Sequence, residues 1–128
     1  MPPPKPRDLC DRTFLFARDI VAFCLALSQQ PGARRQIAGQ LLRAATSVGA
    51  NAEEAKAAYS RREFAFKNAI VLREARESRY WLRLIVATGL ATSEAVAPLL
   101  AETEELVGIF TATVRKAKAP GGEVKTQK

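Results

Sequence analysis

At 128 residues the chain is long enough to bury one continuous core without metal or disulfide staples, and too short for a second domain. It has no histidine and only two cysteines, Cys10 and Cys24, which removes the commonest general base and metal ligand. That excludes Ser-His and Cys-His catalysis and zinc-type patterns, and it predicts a non-enzymatic protein of a reducing compartment, with no cofactor and no metal.

The proline-rich start MPPPKPRD is no secretory signal, and no apolar run approaches the roughly twenty residues that cross a bilayer, so a cytoplasmic protein without membrane contact is expected. Residues 1–10 read as a disordered proline-rich tail, 119–128 as a disordered basic tail, and 11–118 as the folded domain. The net charge is +7, more than half of it near the two ends. Of the body, residues 56–83 hold eight basic and three acidic groups, and residues 84–115 one and four.

The first element is an amphipathic helix over about 11–29, with Phe16, Ile20, Cys24 and Leu27 at helical steps, Val21 and Phe23 widening the stripe, and Pro31-Gly32 as its stop. The second runs over about 33–57 with the seam Ile37, Leu41, Ala45, Val48, Ala52, Ala55 and Tyr59. The third opens on Ser60 and Glu63 as a capping box, with Tyr59 placed to staple against Phe64. It continues through Phe64, Val71, Ala75, Ser78, Leu82 and Ile85 to a left-handed stop at Gly89. The fourth spans about 93–118, capped by Thr92, with the seam Val96, Leu99, Thr103, Leu106, Phe110 and Val114. Pro98 marks either its true start or a kink. Long helices joined by short links make an all-α, antiparallel up-and-down four-helix bundle the economical fold.

Three groups fall outside these seams. Phe66, Ile70 and Trp81 form a second apolar row on the third helix, which either widens the core face or meets another copy of the chain. Ser47, Asn51 and Glu54 form a polar row bordering the core of the second helix, beside Gly49, where a neighbour could come close. With Glu74 they are candidates for a polar interface network that fixes register, Arg73, Arg76 or Arg79 being possible partners; a small-ligand pocket and a plain solvated face are the alternatives. Finally, Arg76, Arg79 and Arg83 share a face of the third helix, with Arg61, Arg62 and Lys67 nearer its start. Such an array suits phosphates, although Glu74 and Glu77 among the arginines also fit a pair-laced solvated face. No base-reading module is present.

The stretches QLLRAATSVGANAEEA (40–55), SRREFAFKNAIVLREARESRYWLRLIVATGL (60–90) and FARDIV (16–21) resemble the 23S ribosomal RNA intervening-sequence protein family, over about residues 12–117. The resemblance implies a left-handed bundle that closes into a ring, typically a pentamer, without known enzymatic activity. Some relatives are encoded within ribosomal RNA gene insertions. A related group accompanies the reverse transcriptases of diversity-generating retroelements and binds them and nucleic acid through basic surfaces. The chain departs from the commoner pattern at Ala52-Glu53-Glu54-Ala55, where many members carry Ile-Ala-Glu-Gly, and at Ala58-Tyr59, where an arginine is frequent. The expected role is a homo-oligomeric adaptor binding RNA or DNA without sequence preference. The alternative is a protein-interaction scaffold whose partner is another protein, such as a reverse transcriptase.

Overall fold

The computed structural model describes residues 8–118; apart from Asp8, Leu9 and Cys10, the two expected tails lie outside the described residues. Four helices follow one another: α1 (Leu9–Leu27), α2 (Ala33–Lys56), α3 (Arg61–Ala87) and α4 (Ser93–Lys118). The short links force each helix to run against its predecessor. Consecutive helices pack along their lengths, α1 and α3 stand on the diagonal, and α4 comes back beside α1 with few close approaches. The all-α antiparallel four-helix bundle expected from the periodicity is the fold.

Caps set the boundaries. α1 begins earlier than its apolar period suggests, because the Asp8 carboxylate accepts the Asp11 backbone N–H at 2.8 Å. At α3 the capping box is complete: the Glu63 N–H donates to Ser60 Oγ at 3.0 Å, and the Tyr59 N–H donates to Glu63 Oε1 at 2.9 Å. The expected staple is absent, since the Tyr59 side chain is 98% exposed and stands clear of Phe64. Gly89 ends α3 at φ 74°, and the Leu90 N–H closes the turn on the Ile85 carbonyl. Thr92 caps α4 through the Ala95 N–H, so Pro98 lies inside the helix and does not mark its start.

The seams largely coincide with the core. Phe16, Ile20, Leu41, Val48, Val71, Leu82, Ile85, Val96, Leu106 and Phe110 are buried together. On α2 the buried position near the start is Ala38, while Ile37 is half-buried. Val21 is exposed, whereas Phe23 packs on the core edge. Across the open side of the bundle, Arg12 of α1 grips Glu102 of α4 with Nε at 2.7 Å and Nη2 at 2.9 Å, and Nη2 also reaches Glu105.

Gly49 does face a neighbouring backbone, that of α1, but the space is not reserved for glycine. A Cβ there would lie 3.4 Å from the Thr13 carbonyl oxygen, an ordinary contact. Gly49→Ala should therefore raise stability by up to about 1 kcal/mol through helix propensity, read as a higher thermal midpoint. A lowered midpoint would mean that α1 sits closer to α2 than this geometry has it.

Candidate functional site

The outer surface of α3 carries the densest charge. Arg76 and Arg83 are exposed and make no ion pair among the described residues, while Arg79 is half-buried and pairs with Glu104 of α4 at 3.0 Å. Arg61 and Arg62 lie exposed in the first turn, also without an ion pair among the described residues. Lys67 belongs elsewhere: nine positions before Arg76, it points about 180° around the helix, and it is half-buried.

The two carboxylates that interrupt these arginines in sequence are not their partners. Glu74, 8% exposed, takes Arg43 of α2 at 3.3 Å, and the other nitrogen of the same guanidinium reaches Glu77. Glu77 also accepts the Trp81 indole N–H at 3.0 Å. That bond first, and Arg43 second, hold the Glu77 carboxyl below its ordinary value. Arg43 thus engages Glu74 and Glu77 from the α2 side and leaves Arg76 and Arg83 of α3 to the solvent. Arg43 stands four residues before Ser47, so extending the polar row back by one turn would have found it.

Of that row, Asn51 donates to the Ser47 carbonyl and hydroxyl, both at 3.0 Å and both within α2. Glu54 is exposed and meets none of Arg73, Arg76 or Arg79. The structure therefore separates Ser47 and Asn51 from Glu54, and places Glu74 with Arg43 instead.

Among the described residues, two apolar surfaces remain uncovered. On α3, Phe66 is 61% exposed, Ile70 is half-buried, and Trp81 rests against the core edge. On the α1/α2 side, which the apolar periodicity alone does not single out, Val21, Leu25 and Leu42 are exposed along one shallow groove and Phe14 along a second. Neither cysteine among the described residues is activated. Burial pushes the Cys24 thiol up to about 11 and raises Cys10 as well, the opposite of an activated nucleophile. Among the described residues no cluster of three acidic or thiol side chains could hold a metal, and no helix is long and apolar enough to cross a membrane.

Comparison with known proteins gives both a family match and structural matches. Residues 7–112 match the family model described as 23S rRNA-intervening sequence protein. Among solved structures, the chain is similar to a protein of unknown function from the S23 ribosomal protein family of Bacteroides thetaiotaomicron, with 32% identity and a TM-score of 0.77, covering 84% of this chain and 99% of that one. No curated protein matches. Neither similarity indicates an enzyme.

Proposed function

The chain belongs to the 23S rRNA-intervening sequence protein family, and from that premise we propose that it is a non-enzymatic, self-associating adaptor that holds nucleic-acid phosphates along the outer face of α3 without reading sequence. The observation that carries this reading is the capture of Glu74 and Glu77 by Arg43, which leaves Arg76 and Arg83 as cations without an ion pair among the described residues. A guanidinium in that state offers a two-pronged donor set to a phosphate. Repeated around a ring of copies, the face would present a multiplied positive field.

A ring, with a pentamer as the expected size, closes through two different patches on each copy. The exposed apolar row on α1/α2 and the Phe66 row of α3 are two different patches of this kind, the first centred on α1, which is diagonal to α3. The same rows also favour the second reading, a homo-oligomeric scaffold for a partner protein such as a reverse transcriptase.

Salt separates the two. Fluorescence anisotropy with labelled RNA and DNA should give an affinity that falls linearly on logarithmic axes with rising salt. The triple change of Arg76, Arg79 and Arg83 to alanine should lower that slope by about one unit for each phosphate the protein no longer neutralises. Salt-insensitive binding, or none, would leave the scaffold; light scattering on the same sample reads the number of copies.

A further inference from the structure

At the end of the bundle where α1 and α3 begin and α2 and α4 finish, a cavity of about 510 Å³ opens between Leu9, Ala52, Ala55, Phe64 and Phe110. That is within the size range of small-ligand sites. Its polar groups are almost all engaged: Lys56 with Asp8, Arg12 with Glu102 and Glu105, the Cys10 thiol with the Ala52 carbonyl, and the Thr113 hydroxyl with the Ile109 carbonyl. Asn68 is the exception. It lines the cavity at 3% exposure, its Nδ2 donates once, to the Phe64 carbonyl, and nothing among the described residues donates to its Oδ1.

A buried carboxamide oxygen without a donor is costly to leave unmade, and beside it remains one unused N–H. An acceptor and a donor side by side on one amide match the N6 and N7 edge of adenine, the geometry by which asparagine holds that base. Phe64, 40% exposed at the rim, offers a ring on which a base can stack. Arg61, Phe64 and Asn68 stand at steps of three and four on one face of α3, which sets the backbone position of the exposed Arg61 about 10 Å along the axis from that of Asn68, outside the cavity lining. Amide, aromatic ring and cation thus follow each other in the order base edge, base face and phosphate.

We infer that this cavity is an adenine-nucleotide site, built on Asn68, Phe64 and Arg61, that takes an unstacked adenine from a single strand lying on the α3 arginines. The inference rests on the phosphate-binding reading for the path of the strand, while the pocket chemistry stands apart from it. With the whole chain labelled with nitrogen-15, adenosine 5′-monophosphate should shift the Asn68 side-chain amide pair and cytidine 5′-monophosphate should not. An oligo(dA) strand should bind roughly tenfold tighter than oligo(dC). Asn68→Leu should abolish that preference and leave the salt slope unchanged; Phe64→Ala should weaken both strands about equally, on the order of tenfold. Equal response to the two mononucleotides, or a preference that survives Asn68→Leu in a variant with native circular dichroism, overturns the site. A strand affinity without salt dependence, with the adenine response intact, instead removes the phosphate path and leaves the pocket.

Discussion

Phe110→Ala should lower the unfolding free energy by roughly 3–5 kcal/mol in urea titrations followed by circular dichroism. The ring is 1% exposed, it anchors the second half of α4, and it borders the cavity at the bundle end. Its removal enlarges that cavity, so the surrounding side chains cannot simply close over the space. Against a total stability of about 5–15 kcal/mol for a domain of ordinary size, such a loss is severe. Phe66→Ala is the matching control. With the ring 61% exposed, its truncation in dilute protein should change stability by no more than about 0.5 kcal/mol. If copies associate through this row, the same variant should lose mass in light scattering and lose any dependence of the melting midpoint on protein concentration. A large cost for Phe66→Ala in a protein that stays monomeric would contradict the packing described above.

The helices and their core faces were legible because burial repeats along a helix with a period that a sequence carries openly. The seams of α3 and α4 show this, as do the Ser60 and Thr92 caps. What a helix meets sideways is set by its neighbours, and there sequence reasoning was weaker. Val21 and Phe23 border one stripe symmetrically, yet only Phe23 packs against the core, while Val21 faces an open groove. The arginines of α3 invited pairing with Glu74 and Glu77 on their own helix, whereas the carboxylates turn toward Arg43 on α2. Asn68 was legible in principle. It sits on the α3 seam between Phe64 and Val71, where an apolar residue was due, and a polar side chain at a core position is the informative exception.

Arg12→Ala should cost about 1.5–3 kcal/mol, well above the value of an ordinary surface ion pair. The difference lies in burial and geometry. The Arg12 side chain is 22% exposed and that of Glu102 is 29% exposed, and the fork of the guanidinium meets both carboxylate oxygens. Glu102 and Glu105, one turn apart on α4, would face each other as like charges once the cation is gone. The seam between α1 and α4 has few other close approaches, so the loss should appear as faster hydrogen exchange in these two helices before the bundle as a whole unfolds. Arg12→Lys should recover less than half of the cost, because an ammonium is a point charge and cannot span two oxygens. A double-mutant cycle of Arg12→Ala with Glu102→Gln should give a coupling of at least about 1 kcal/mol. If lysine restores full stability, or the coupling vanishes, the bidentate pair contributes nothing particular, and the seam between α1 and α4 is held by its few apolar contacts alone.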